Sequence, residues 1–234
     1  MKIALITHQF PSLEHPYIFD WIRAMISSGI DLWIITEKVT EPPSSDFWKS
    51  DEAITKRILR INLIGQPDLM LFFQSAVQTL LHPGKTIALL KVLYRSENGK
   101  LNSVFRKVFE YLPLVSEAFD LLHFNAPQIA IRRFELVAYF QSKSLISFRG
   151  QDFSFYPERY VPLLSKADHL HFISQHLVNL AVDSGYREDK HTIITPMVDH
   201  QFYRLSGEQS RKPAPPYILF TAARLEWMKG FEFA

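Results

Sequence analysis

The sequence predicts an α/β fold, a Rossmann-like parallel sheet with helices on both faces. Short apolar runs of strand length recur along the chain, and segments with helical periodicity separate them. The predicted strands cover residues 2–7, 30–36, 57–64, 119–124, 144–148, 169–173 and 191–195. Because parallel neighbours need a crossover connection, usually a helix, this regular alternation indicates parallel rather than antiparallel strands.

The first helix is predicted directly after the first strand. Pro16 suits an early helical position, and Gly29 suits the residue just beyond the helix end. The apolar face between them consists of Ile18, Trp21, Ile22 and Met25.

An α-helical insertion, at about residues 65–112, interrupts the alternation, because helical patterns follow one another there without a strand. Its basic residues are interleaved with Leu, Phe and Tyr: Lys85, Lys91, Arg95, Lys100, Arg106 and Lys107. Such an amphipathic basic surface suits peripheral contact with an anionic membrane. A solvated basic face over a core-facing stripe explains the same pattern and is the more common case.

The composition excludes several functions. A formal net charge of +2 provides no global field for binding nucleic acid. The absence of cysteine excludes disulfides and thiol chemistry and fits a cytoplasmic protein. No apolar run approaches the ~20 residues that a membrane-spanning helix needs.

Two domains are predicted to meet at the polar, proline-rich stretch "SGEQSRKPAPP", residues 206–216, which is typical of a linker. Residues 1–205 then form the Rossmann-like domain. Residues 217–234 form the first strand of a second domain and the start of its helix.

An ordered set of segments connects these elements: "THQFPSLEHPYIFDWI", "DLLHFNAP", "ISFRGQDFSFYP", "HFISQHLVNLAVDSGY", "ITPMVDHQFY" and "ILFTAARLEWMKGFEFA". Over the whole chain this succession resembles the family-4 glycosyltransferases of the GT-B fold. The resemblance implies a retaining, metal-independent, hexosyltransferase-type enzyme that uses a UDP- or GDP-linked sugar and no other cofactor. Its acceptor would be a cell-surface glycan or a lipid-linked molecule. This chain would be the acceptor half, inactive alone and located in the cytoplasm, at the inner face of the membrane.

The same resemblance assigns the donor-side residues. Arg224, Lys229 and Gly230 match family positions that contact the donor diphosphate, where negative charge grows as the leaving group departs. Taken alone, two basic residues five positions apart are more often solvated surface charges.

On the acceptor side, "FRGQD" matches a family segment in which a histidine normally stands at the position of Arg149. Arg149, with Arg224 and Lys229, is a predicted catalytic residue, and an arginine there binds hydroxyl groups or an anion rather than shuttling a proton. Further predicted acceptor contacts are Gly150 and Asp152 in this segment and His8, Ser12 and Glu14 in the loop after the first strand. A plain strand-to-loop turn, or an ordinary surface loop, is the alternative at these positions.

Other functional classes fit less well. A non-catalytic α/β module that binds an acceptor, a membrane or a partner remains the alternative to the enzyme. The chain has no Asp-any-Asp motif, which disfavours the metal-using GT-A class, and its first-strand loop has no glycine, which disfavours a dinucleotide-dependent oxidoreductase.

Overall fold

The computed structural model describes residues 1–12, 16–39, 52–61, 69–150, 152–153, 157–187, 189–196, 221 and 229–233. The chain divides into two compact units, Met1–Met197 and Val198–Ala234. Within the described ranges, no helix combines the length and the apolar character needed to cross a membrane.

The first unit contains a seven-stranded sheet in which every described pairing is parallel. Its strands are β1 (Lys2–Phe10), β2 (Asp31–Val39), β3 (Ile58–Arg60), β4 (Leu121–Phe124), β5 (Lys143–Phe148), β6 (His169–Phe172) and β7 (His191–Ile193). Their order in the sheet is β3-β2-β1-β4-β5-β6-β7. The predicted α/β fold class is confirmed.

Helices connect the strands: α1 (Pro16–Ser27), α2 (Glu52–Thr55), α3 (Leu69–Leu81), α4 (Pro83–Ser96), α5 (Leu101–Tyr111), α6 (Pro127–Arg133), α7 (Glu135–Phe140), α8 (Val161–Lys166) and α9 (Gln175–Asp183). Helices α3 to α5 lie between β3 and β4 with no strand among them, as the helical insertion predicts. Helix α1 ends as its sequence indicates. Gly29 takes a φ of 79°, and the amide of Ile30 donates to the carbonyl of Met25, which closes the end in a Schellman motif.

The two faces of the sheet pack against different helices because successive side chains of a strand point to opposite faces. On one face, Ile3 and Leu5 of β1 share a core with residues of α1, among them Ile18 and Ile22. On the other face, one row of paired residues crosses the sheet: Leu59, Ile35, Ile6, Phe124, Ile146, Leu170 and His191. This second core takes in buried residues from α4 to α9, such as Leu93, Val104, Ile129, Leu136, Leu163 and Leu177.

The ends of β1 and β2 depart from the prediction, since both strands run three residues further. Strand β1 continues to Phe10, which is paired with Val39, because β2 is equally long and offers partners beyond Thr36. His8, predicted in the loop after β1, therefore lies within the strand.

The strand order reverses direction between β1 and β4. The chain moves from β1 through β2 to β3 on one side and then from β4 to β7 on the other. In open parallel sheets, ligands bind in the crevice at the carboxyl ends of the strands that flank such a switch point. The ends of β1 and β4 are therefore where a site is expected.

In the second unit, the described residues are Thr221 and residues 229–233, with a 3₁₀ turn at Phe231–Phe233. The predicted linker at 206–216 and most of the predicted strand that follows it lie outside the described residues.

Candidate functional site

The Arg149 guanidinium lies at the carboxyl end of β4. Its Nη1 donates to the carbonyl oxygen of Asn125 at 2.6 Å, and its Nη2 donates to Asn125 Oδ1 at 2.8 Å. The Tyr17 ring, at the start of α1, lies 5.3 Å from the guanidinium carbon. These three contacts are all to neutral groups. The Arg149 side chain is thus fixed at the switch point by hydrogen bonds to Asn125 and by the Tyr17 ring, with the Asp152 carboxylate on its backbone amide.

Asp152 shapes the loop that carries Arg149. Its Oδ2 accepts from the Arg149 amide at 2.6 Å, and its own amide donates to the Arg149 carbonyl. Its Oδ1 accepts from Gln128 Nε2 at 2.9 Å, and the same nitrogen donates to the Tyr160 hydroxyl. Burial raises the pKa of Asp152, although these hydrogen bonds oppose the rise. Both carboxylate oxygens are engaged within the protein, so Asp152 positions Arg149. Gly150, between the two, is exposed, and a Cβ there would meet nothing within 4 Å.

A second group lies at the end of β1 on the other face of the sheet. His8 Nδ1 is 2.5 Å from Oε2 of Glu37 on β2. The His8 side chain is 63% exposed, whereas that of Glu37 is only 5% exposed. A carboxylate can only accept, so Nδ1 carries the hydrogen, and in the neutral ring the lone pair is on Nε2.

Arg133 of α6 holds the buried Glu37. Its Nε and Nη2 both donate to Glu37 Oε1, at 3.0 and 2.6 Å. Its Nη1 donates to Oε2 of Glu110 on α5 at 3.2 Å, and Arg106 Nε reaches the other oxygen of Glu110 at 3.3 Å. Burial would raise the pKa of Glu37, but the charge and hydrogen bonds of Arg133 outweigh it and hold this pKa below its usual value. Glu37 is therefore ionised at neutral pH.

Not every basic side chain of the insertion faces solvent, because Lys107 is half-buried and paired with two carboxylates. Lys107 Nζ lies 2.6 Å from Glu135 Oε1 and 2.7 Å from Glu97 Oε1, and Glu135 also accepts from the Tyr111 hydroxyl. Lys107 thus joins α5 to α7 through Glu135, whereas Arg106 pairs with Glu110 within α5 and keeps an exposed side chain.

The outer surface of the insertion carries an apolar groove between α4 and α5, with a volume of about 320 Å³. We call it the α4–α5 groove. It is lined by Leu90, Lys91, Tyr94, Arg95, Leu101, Val104 and Phe105. Phe105 is 64% exposed, and Leu101 is also well exposed, which is unusual for large apolar side chains at neighbouring turns of one helix.

Two histidines and a serine form a hydrogen-bonded chain across β4, β5 and β6. His171 Nε2 is 3.1 Å from the Ile194 carbonyl, so Nε2 donates and Nδ1 accepts from Ser147 Oγ. Ser147 Oγ in turn accepts from His123 Nε2 at 2.7 Å. Burial, with smaller electrostatic contributions from His171 and Arg149, lowers the pKa of His123 to about 3, and burial also lowers the pKa of His171. Both rings are neutral and internally satisfied. The described residues contain no group of three or more His, Cys, Asp or Glu that fits a metal ion.

The structure brings together only part of the predicted site. Arg149, Gly150 and Asp152 share the loop after β5, whereas His8 lies on β1, which β4 separates from β5 in the sheet. Ser12 is half-buried beyond the end of β1, while Glu14 and Arg224 lie outside the described residues. In the second unit, Lys229 is exposed and Gly230 takes a φ of 66°.

Sequence reasoning misses Glu37 and Arg133, which organise the end of β1. A signal was present, because each is a charged residue within an apolar segment, "IITEKV" and "IAIRRFEL". Charged residues are almost never fully buried unless they are paired.

No protein-family model matches this chain, and no curated protein is significantly similar to it. The fold defines the class of domain: a Rossmann-like α/β unit with a parallel sheet and polar side chains, Arg149 among them, at the carboxyl ends of its strands.

Proposed function

We propose that this chain is the acceptor-side domain of a glycosyltransferase that moves a sugar from a UDP- or GDP-linked donor to a hydroxyl group of a glycan or lipid-linked acceptor. The observation that carries the proposal is the Arg149 guanidinium, which Asn125 and Tyr17 hold at the switch point. The ordered motifs that resemble family-4 glycosyltransferases supply the reaction class.

The chemistry of Arg149 suits acceptor binding. Its guanidinium presents planar donors that match a hydroxyl oxygen, a carboxylate or a phosphate, and the Tyr17 ring lies 5.3 Å from its central carbon. An arginine stays protonated at neutral pH, so it orients the acceptor and stabilises charge without transferring a proton. Arg224 and Lys229 are proposed to stabilise the leaving diphosphate, with retention of configuration and without a metal, as in the enzymes the chain resembles.

The first experiment is calorimetric titration of UDP, GDP and their sugars into the 234-residue chain and into a longer gene product with about 150 further residues, a typical domain length. Binding by the longer protein alone supports a donor site in the second domain. If neither protein binds a nucleotide, the glycosyltransferase proposal fails.

Transfer of labelled sugar by the longer protein then tests the role of Arg149. We expect Arg149→Gln to abolish acceptor-dependent transfer while leaving nucleotide binding unchanged, and Arg149→His, the residue usual in the family, to retain more activity. Arg187→Gln is the matched control, because Arg187 is an exposed arginine whose hydrogen bonds within the described part of the chain go to the backbone carbonyls of Val182 and Tyr186. Equal transfer by the Arg149→Gln and Arg187→Gln variants contradicts an acceptor-binding role for Arg149.

A second candidate function is a membrane-binding module, which the α4–α5 groove favours. Phe105 and Leu101 offer apolar surface there, and Lys91 and Arg95 line the same groove. Apolar side chains that enter the headgroup boundary, flanked by cations that pair with anionic lipids, are the features of an interfacial helix. In this proposal the groove holds the domain on the cytoplasmic face of a membrane, close to a lipid-linked acceptor.

Vesicle sedimentation tests this candidate. We expect the chain to sediment with vesicles of phosphatidylserine and phosphatidylcholine at low salt, less at high salt, and not with phosphatidylcholine alone. Phe105→Ser should abolish sedimentation, and Val182→Ser, which replaces an exposed apolar residue of α9, should not. Equal sedimentation with charged and neutral vesicles, and equal sedimentation of the unchanged protein and both variants, contradicts a role of the groove in membrane binding.

A further inference from the structure

The contact between Arg149 and Asn125 leaves several hydrogen-bond donors for a ligand. An arginine side chain carries five N–H donors and no acceptor. Two of them are used inside the protein, on the carbonyl oxygen and on Oδ1 of Asn125. Within the described part of the chain the guanidinium makes no other hydrogen bond, so three of the five donors remain at the switch point.

The Asn125 side chain adds a further donor. Because Arg149 can only donate, the atom that accepts from its Nη2 is Oδ1, which leaves the NH₂ group of Asn125 for another partner. Asn125 is only 8% exposed, yet none of the described residues accepts from this NH₂ group. The described side-chain atoms that are sealed from solvent without a partner do not include its nitrogen, so a ligand can reach it. Buried polar groups are normally hydrogen-bonded, and an acceptor from a ligand is expected here.

This set of donors suits an oxyanion better than a hydroxyl group. A carboxylate or a phosphate group only accepts hydrogen bonds, whereas a hydroxyl group also donates one. The two oxygens of Asn125 already accept from the guanidinium. Hydrogen bonds from arginine to an anionic oxygen are also roughly twice as strong as those between neutral groups.

The charges around Arg149 are compatible with a bound anion. Burial lowers the pKa of His123 and of His171, and the charge of Arg149 contributes in the same direction, so a positive charge acts on this part of the sheet. The Asp152 carboxylate offsets part of that charge. Its hydrogen bonds, however, go to the Arg149 backbone amide and to Gln128 rather than to the guanidinium.

We propose that Arg149 and Asn125 bind an oxyanion, a carboxylate or phosphate group of the acceptor; this rests on the glycosyltransferase function proposed above. The remaining N–H groups of the guanidinium and the NH₂ group of Asn125 donate to the oxygens of this group. The bound group does not react, and a hydroxyl group elsewhere on the acceptor receives the sugar. The acceptor is thus an acidic glycan or a phosphate-bearing lipid-linked molecule rather than a neutral sugar.

The substitution Asn125→Asp separates anion binding from the anchoring of Arg149. A carboxylate still accepts from Arg149 Nη2, so the guanidinium keeps its place. The NH₂ donor, however, is replaced by an acceptor, and a negative charge is added next to the ligand. Asn179→Asp is the matched control, because Asn179 is exposed on α9 and its Oδ1 accepts from Gln175.

The first test needs no activity. Sodium phosphate, sodium acetate and neutral methyl glucoside are titrated separately into the 234-residue chain at constant ionic strength, and the arginine Nε–H signals are followed by NMR. We expect the Arg149 signal, identified by its loss in Arg149→Gln, to shift saturably with phosphate or acetate and not with methyl glucoside. Asn125→Asp should weaken the binding by about tenfold or more, and Asn179→Asp should not change it.

The tighter of the two anions identifies the acceptor group as a phosphate or as a carboxylate. Urea unfolding shows whether each variant remains folded. An Arg149 signal that responds to neither anion, or equal anion affinities in the unchanged protein and in Asn125→Asp, overturns the oxyanion site.

The second test uses the longer gene product. The anion that binds in the first test should raise the acceptor KM for sugar transfer without lowering kcat. An increase in the donor KM alone places the anion at the diphosphate site and contradicts the proposal.

The oxyanion site and the proposed function can fail separately. If the unchanged protein transfers no sugar, the glycosyltransferase function fails, while the NMR titration still decides whether Arg149 and Asn125 bind an anion. If it transfers sugar and the Arg149 signal responds to neither anion, the oxyanion site fails and the function stands.

Discussion

Replacement of Arg133 by methionine should lower the free energy of unfolding of the first unit, because it removes the cation between two buried carboxylates. Arg133 is 6% exposed and makes three hydrogen bonds to Glu37 and Glu110. Methionine keeps an unbranched side chain of similar length but leaves both acids without this partner.

The expected loss in the free energy of unfolding depends on which partners Glu37 and Glu110 keep in the variant. Breaking a buried ion pair by removing one partner costs about 3–5 kcal/mol, because a charge stays buried without compensation. Glu110 keeps Arg106, and Glu37 keeps His8, so the lower end of that range is expected, about 3 kcal/mol. With a urea m-value of about 2 kcal/mol/M, the unfolding midpoint should fall by about 1.5 M.

Urea unfolding followed by circular dichroism measures this change, with Arg132→Met as the matched control. Arg132 is 53% exposed and 4.0 Å from Glu37, so its replacement should change the free energy of unfolding by less than about 1 kcal/mol. The pH dependence has a definite sign. Because the folded pKa of Glu37 is lowered, its stabilisation is fully present above about pH 4.3, the usual Glu pKa, and is lost as the pH falls through the folded value.

In Arg133→Met the pKa of Glu37 should rise, since burial is no longer opposed by the arginine. The loss of stability should therefore be largest at neutral pH and should shrink in acid. If Arg133→Met lowers the free energy of unfolding no more than Arg132→Met does, the buried ion pairs of Arg133 do not stabilise the fold and Arg133 does not hold Glu37 in place.

Three further outcomes are expected. His123 has a folded pKa of about 3, below the unfolded value of about 6.5, so stability should fall as the pH drops below about 6.5, and His123→Asn should flatten this slope in urea midpoints measured against pH. Gly29→Ala should lower the free energy of unfolding by about 1 kcal/mol, because Gly29 has a φ of 79°. In the same unfolding assay, Gly150→Ala should change it by less than about 0.5 kcal/mol, because a Cβ there meets no atom within 4 Å. Ser174→Ala should cost about 1 kcal/mol and raise the hydrogen exchange of the first turn of α9, because the Ser174 hydroxyl oxygen accepts from the Leu177 amide.

The fold could be predicted because its signals are local. Strands of a parallel sheet are buried on both faces and appear as short apolar runs, and α1 is delimited by Pro16 and Gly29. The structure differs from the prediction at strand ends, because the pairing between neighbouring strands determines where each strand stops. β1 extends to Phe10 because β2 supplies partners for it. β3 is paired with β2 at residues 58–60, and the predicted strand residues 62–64 lie outside the described part of the chain.

The site could be predicted only in outline. Arg149 and Asp152 are close in the sequence, and their shared loop follows from the motif. Glu37 and Arg133 are 96 positions apart, and nothing in either local pattern says that β2 and α6 approach each other. Hydrophobic periodicity places a residue on a face, whereas the partner of a buried charge depends on strand order, which periodicity does not contain.

The contacts of Arg133 also constrain how this protein can change over evolution. One arginine joins a strand near the beginning of the chain to Glu110, which belongs to the helical insertion. A relative that lost the insertion would keep an arginine with one acid fewer and would need either a new carboxylate or a neutral side chain at this position. Positions 37, 110 and 133 should therefore vary together among descendants of this sequence, and a surface segment that looks dispensable is inherited together with the edge of the sheet.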